Sequence, residues 1–241
     1  MRILVIELQK EKRAGAVPVL LLIGFIGAAY ELLNYAIRKE SLLSLPFKPM
    51  DILLTQLYGM VMILNLFGIV VAACIIYNIE FKGNALKKMY VLPINMVYVY
   101  LNKFLILGIL LTAAVVIQNI ALICIGVINL PQGSFRLMTL IRFAGYSLLT
   151  SLPVLSFMLL ISSLAENMWV TLGIGVAGFL SGMSLVNYGS KLLLIHPVVI
   201  MLKPAVAMST SISVTVSVVA IIETIIFLIS GAIFSKHSHH E

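Results

Sequence analysis

Charge is scarce in this 241-residue sequence. Lys, Arg, Asp and Glu make up 10% of it and hydrophobic residues 61%, whereas ordinary soluble domains carry roughly 25% charged residues. No soluble fold of this size can bury that much apolar surface, so the shortage excludes a water-soluble domain and makes lipid the solvent. Cysteine is as sparse. Cys74 and Cys124 both fall in apolar stretches, which excludes a disulfide framework or a clustered metal site and leaves them as small packing residues. Catalytic signatures are missing too: there is no G-x-x-x-x-G-K-[ST] phosphate loop, no H-E-x-x-H and no nucleophile elbow. The chain is therefore not expected to bind ATP in the usual way or to be an enzyme. Leu180–Ser184 reads LSGMS, but it lies inside an apolar run and is no ATPase signature. The net charge of +7 comes without interleaved basic and aromatic residues, which argues against nucleic acid. His237, His239 and His240 read as part of a solvated tail, not a metal site.

What is present is long apolar runs punctuated by the few charges. A helix needs about 20 apolar residues to cross the hydrocarbon core. Uncharged runs of 28, 32, 23 and 24 residues separate Asp51 from Glu80, Lys103 from Arg136, Arg142 from Glu166, and Glu166 from Lys191. Runs near each terminus contain only Glu31 and only Glu223. The pattern predicts an all-α membrane protein with one transmembrane domain over 1–241 and six spans, at about 14–36, 53–78, 104–128, 143–164, 167–187 and 212–234. The fourth and fifth would form a tight hairpin around Glu166. Residues 1–13 mix Leu4, Val5 and Leu8 with Glu7, Lys10, Glu11, Lys12 and Arg13, which suits an interfacial helix ahead of an uncleaved first span.

With six spans, both termini share a side. That side holds Arg2, Lys10, Lys12, Arg13, Lys82, Lys87, Lys88, Lys103 and Lys236; the other holds Arg38, Lys39, Lys48, Arg136, Arg142, Lys191 and Lys203. The basic clusters beside the first three spans place both termini in the cytoplasm.

The segment after the second span carries the most information. It runs Glu80-Phe81-Lys82-Gly83-Asn84-Ala85-Leu86-Lys87-Lys88-Met89-Tyr90-Val91-Leu92-Pro93. On a helix, Phe81, Ala85, Met89 and Leu92 share a flank, the lysines point elsewhere, and Pro93 ends the element. Such an amphipathic helix can dock in a groove of a cytoplasmic partner or lie on anionic lipid with its lysines snorkelling. The string E-x-K-x-N-x-x-K-x-x-Y-x-L-P, followed by Asn102-Lys103-Phe104, resembles the same loop of ABC-2 type permeases, and most of all the lantibiotic-immunity permease subunits of Gram-positive bacteria. Glu7–Arg13 is similar to the opening of that group. Glu80, Asn84, Lys87, Leu92 and Pro93 are the matching positions; Leu86 departs from them, since Trp is common there.

The resemblance implies that this loop, including Lys82, Gly83, Leu86 and Lys88, is a coupling helix seated on a separate cytoplasmic ATP-binding subunit. ATP and Mg would belong to that partner, and this chain would carry no cofactor. Movement of the loop would pass through the second and third spans and change substrate access. Six spans are half of such a permease, which implies a second permease subunit, with a related but non-identical chain favoured over a second copy. The implied substrate is an antimicrobial peptide, and the implied location is the bacterial plasma membrane.

Three further positions are candidates for a substrate path: Glu223, Glu31 and His196. Leu192–Leu202 is uncharged, too short to span and too apolar for a loop. It predicts a re-entrant outward hairpin broken at His196-Pro197, serving either as an exit cap or as a structural plug. Glu223 sits mid-span, where a charge costs on the order of 2.5–3.5 kcal/mol. It either lines a polar path or makes a protonated packing contact. Glu31 is expected to reach the outer interface. Gly178 and Gly182 in G-x-x-x-G spacing predict close helix packing in the fifth span. The competing reading of the chain is an ATP-independent channel or ion-coupled carrier that uses Glu223.

Overall fold

The computed structural model describes residues 15–82, 95–131, 133–188 and 190–237. Hydrocarbon offers the backbone no water to bond, so apolar segments satisfy their N–H and C=O groups internally as helices. Six of the helices among the described residues are long and apolar enough to cross a membrane. In chain order the helices are α1 (Ala16–Leu43), α2 (Tyr58–Lys82), α3 (Met96–Asn129), α4 (Leu137–Leu164), α5 (Met168–Leu185), the short α6 (Pro197–Val206) and α7 (Val214–His237). A helical turn at Pro49–Asp51 and a π-helical stretch at Ile52–Leu57 lead into α2. Only Ala165–Asn167 separate α4 from α5, so the lone charge at Glu166 does mark a hairpin. The expected interfacial helix of residues 1–13 lies outside the described residues.

Successive long helices run in opposite directions, which gives the bundle two ends. Gly15, Lys82, Asn95, Glu166 and His237 mark the proximal end; Ser44, Leu130, Val186 and Ser213 mark the distal end. The first three spans form one packed unit. Gly24 and Gly27 of α1 have no side chain to hold α3 away: a Cβ would come within 2.9 Å of the Ala114 backbone and 2.7 Å of Gln118 Nε2. Helices crossing in lipid gain contact area by this use of small residues.

The antiparallel pair α2 and α3 is bridged by polar side chains at two heights. At mid-height the Asn65 and Gln118 amides exchange hydrogen bonds of 3.0 and 2.8 Å, and Gln118 also donates to the Ile23 carbonyl of α1 at 3.4 Å. At the proximal end Lys103 Nζ stands 2.7 Å from Glu80 Oε1. The two bridges are 15 residues apart on each helix, about 22 Å at 1.5 Å per residue.

The distal end is closed by hydrogen bonds and short helices. Asp51 Oδ1 accepts hydrogen bonds from the backbone N–H and hydroxyl of Thr210, at 3.0 and 2.9 Å. Lys191–Ile195 forms a 3-10 turn, and α6 starts at Pro197, where a missing N–H costs nothing. The 3-10 turn and α6 meet at His196-Pro197. Val198 to Leu202 of α6 are buried, and Lys203 donates to the Val186 carbonyl just past the end of α5 at 2.8 Å.

Candidate functional site

The residues flanking the 83–94 segment are held together. Asn95 caps α3 by accepting a hydrogen bond from the Val97 N–H at 3.0 Å, which fixes where the segment re-enters a helix. Lys103 lies about two turns further on and is fully buried. An ammonium in such surroundings needs partners, and three groups on one face of α2 supply them. Glu80 Oε1 is 2.7 Å away, the Ile76 carbonyl accepts a hydrogen bond at 3.4 Å, and the Tyr77 ring centroid lies 4.5 Å from Nζ. Residues 76, 77 and 80 fall together because positions three and four apart share a helix face. Net stabilisation from a buried pair of this kind is small, because desolvation offsets the attraction; removing one partner alone costs about 3–5 kcal/mol.

One turn before Lys103, the buried Tyr100 ring packs against Gly231 of α7 so closely that a Cβ there would overlap it. A single stretch of α3 thus touches α2 through Lys103 and α7 through Tyr100. Close by, Asn78, Phe81, Glu166, Asn167, Met168 and Trp169 line an open cleft of about 420 Å³. The sequence marks Lys103 as a span boundary and as part of the Asn102-Lys103-Phe104 string, not as the partner of Glu80, and it does not single out Tyr100.

Of the expected coupling residues, Glu80 is in this cluster and Lys82 is the last residue of α2. Gly83, Asn84, Leu86, Lys87, Lys88, Leu92 and Pro93 lie outside the described residues, as does the side chain of Lys82.

The three substrate-path candidates occupy separate places. Glu31 corrects an expectation: it does not reach the interface but is wholly buried, and neither of its carboxylate oxygens has a hydrogen-bond partner among the described residues. Packing of α1 against α2 and α3 encloses it, within electrostatic reach of the Tyr58 hydroxyl, which also interacts with Asn65. Glu223 is buried on α7, with no described partner for its Oε2. One turn away the Phe227 ring packs, tilted, against that of Phe157 of α4 with centroids 5.2 Å apart. His196 shares a 3.0 Å hydrogen bond with Ser181 of α5 through Nε2, and burial lowers its pKa from the ordinary value. It borders an apolar cleft of about 610 Å³ between α5 and the 191–198 segment. No hydrogen bond or ion pair joins any two of the three among the described residues.

The glycines of α5 divide. Gly175 lies under Val70 and Gly182 under Val198, each too close for a Cβ, whereas Gly173 faces open space. Cys74 is buried as a packing residue should be, but Cys124 is exposed on the outside of α3.

A family model described as ABC-2 family transporter protein matches residues 3–182, well over half of the chain. No curated protein and no solved structure matches it.

Proposed function

Because the chain belongs to the ABC-2 family of transporter proteins, we propose that it is the permease subunit of an ATP-driven exporter that clears lantibiotic-type peptides from the bacterial plasma membrane. Membership itself makes the chain a membrane component that leaves ATP to an ATP-binding subunit. The finer reading adds a second permease subunit, related but non-identical, and puts both termini and the proximal end in the cytoplasm. It also makes residues 80–93 the docking element for the ATP-binding subunit. The observation that carries it is the Glu80–Lys103 pair. A full ion pair buried between the two helices that flank one loop sets the register at which that loop departs, which suits a loop that passes on force.

On this reading the chain performs no bond chemistry. The partner's closure on ATP presses on the 83–94 segment, α2 and α3 shift, and the distal face around α6 changes its exposure. The apolar cleft beside His196 matches a peptide leaving lipid, which offers apolar side chains and a few hydrogen-bonding groups.

The test is co-expression of the chain with ATP-binding subunits encoded beside it, followed by affinity purification and reconstitution into vesicles. A stoichiometric ATPase, hydrolysis stimulated by a lantibiotic, and loss of that stimulation in Glu80→Gln or Pro93→Ala are the expected results. Peptide-independent, proton-gradient-driven flux through the purified chain alone, abolished by Glu223→Gln, would replace this reading with an ion-coupled carrier.

A further inference from the structure

We infer that Lys103 is a positioning residue: it binds the proximal ends of α2 and α3 into one mechanical piece, and Tyr100 beside it carries that piece's motion to α7. The inference rests on the reading of residues 80–93 as the docking element, and it names the residues through which a push on that element would leave it.

The case starts from direction. All three of the groups described around the Lys103 ammonium belong to α2: Glu80, the Ile76 carbonyl and the Tyr77 ring. A lysine that only needed neutralising could have met a carboxylate on its own helix. This one reaches across, from the second turn of α3 to the last turn of α2, and so connects the residues just before and just after the 83–94 segment. The pair thus joins α2 to α3 directly, without passing through that segment. Apolar side chains in the same place would hold the helices together through non-directional burial, with no single pair of atoms to define the register. Opposite charges at 2.7 Å in a low-dielectric site fix a register, the role for which buried ionic groups are best attested.

The second link is steric. Tyr100 is 1% exposed, and its ring fills the notch left by Gly231. Packed interiors transmit displacement because they have no slack, so α3 cannot shift at this level without moving α7. Gly231 lies eight residues beyond Glu223 on the same helix, about 12 Å along its axis. Motion of the piece therefore reaches the helix that carries the buried carboxylate.

The experiment uses the full transporter, reconstituted with its ATP-binding subunit, and reads ATP hydrolysis and peptide movement from one preparation. The variant of choice is the neutral pair Glu80→Gln/Lys103→Met, which removes both charges of the bridge together. Transport per ATP hydrolysed should fall about two- to thirty-fold, the span of known coupling energies, while hydrolysis persists. Lys103→Arg should restore most of the ratio, and Gly231→Leu should lower it in the same direction. A role in folding alone would lower hydrolysis and transport together and leave their ratio unchanged; that outcome overturns the inference.

Should the neutral pair fail to assemble, spin labels at Ile79, Tyr98 and Phe234, all on exposed surface, decide the matter in the unaltered core. Their mutual distances should stay constant between nucleotide-free and ATP-trapped states. A relative displacement of α2 and α3 larger than about 2 Å, more than a packed contact can absorb, defeats it. If the wild-type chain recruits no ATP-binding subunit at all, the proposed function falls instead, so the two failures are distinct.

Discussion

The same two helices are bridged twice, and the bridges differ in kind. At mid-height Asn65 and Gln118 meet as neutral amides, each both donor and acceptor. At the proximal end Glu80 and Lys103 meet as full charges beside an aromatic ring. Neutral interhelical hydrogen bonds in membranes contribute about 0.6–2 kcal/mol each, and an amide pair can relax when a helix tilts. The ionic bridge adds little net stability but is expensive to break on one side. The neutral bridge holds the pair together; the ionic one sets its register where the connecting segment departs.

Breaking the ionic bridge on one side should show the largest effect. Lys103→Met alone removes the ammonium from beside the buried Glu80 carboxylate and should lower stability by about 3–5 kcal/mol, read as a drop in unfolding temperature in detergent. The double variant Glu80→Gln/Lys103→Met should recover most of that loss. Equal losses in the single and double variants would mean that the charges do not interact. Next comes the wedge under the neutral bridge. Gly27→Val forces a side chain into Gln118 and Val61 and should cost about 1–3 kcal/mol by overpacking. A variant as stable as wild type would show that α1 does not clamp the pair.

Removing the neutral bridge itself should cost less. Gln118→Leu should lower stability by about 1–2 kcal/mol and leave transport per ATP hydrolysed unchanged. If that ratio collapsed, the division of labour between the two bridges would be wrong.

The smallest effect belongs to the distal end. Burial lowers the His196 pKa from 6.5, so the folded chain binds fewer protons there than the unfolded one. Stability is therefore retained above that value and declines as the pH falls below it. Unfolding temperatures measured at pH 7.5 and 5.5 should differ in that direction, and His196→Gln should remove that part of the difference.

Much of the fold could be read directly from the chain. Charges are costly in lipid, so their gaps mark the spans, and the turn at Glu166 and the break at His196-Pro197 follow from single residues. Facing could not be read the same way. Lys103 bounded an uncharged run, and its one-dimensional pattern said nothing of Glu80, 23 positions earlier, on the other side of a connector. Glu31 was misplaced for a related reason. Distance from a span's end suggests access to water, but α1 is covered by α2 and α3 at that height, so depth along the membrane did not decide exposure. The exposed Cys124 makes the same point from the other direction: an apolar run says that a residue is in the bilayer, and not which neighbour it meets. The amide pair Asn65 and Gln118 was detectable in principle, as two polar residues inside long apolar runs.

Equal spacing of the two bridges has a consequence for how such a chain can vary in length. Deleting one residue between Asn65 and Glu80 would rotate one bridging side chain by about 100° relative to the other and shorten the interval by about 1.5 Å. Only a matching deletion between Lys103 and Gln118 would restore both meetings. The two intervals are bound to change together or not at all, so insertions and deletions should collect in the connectors. In that respect the pair behaves like a toothed rack, whose pitch is written into both helices at once.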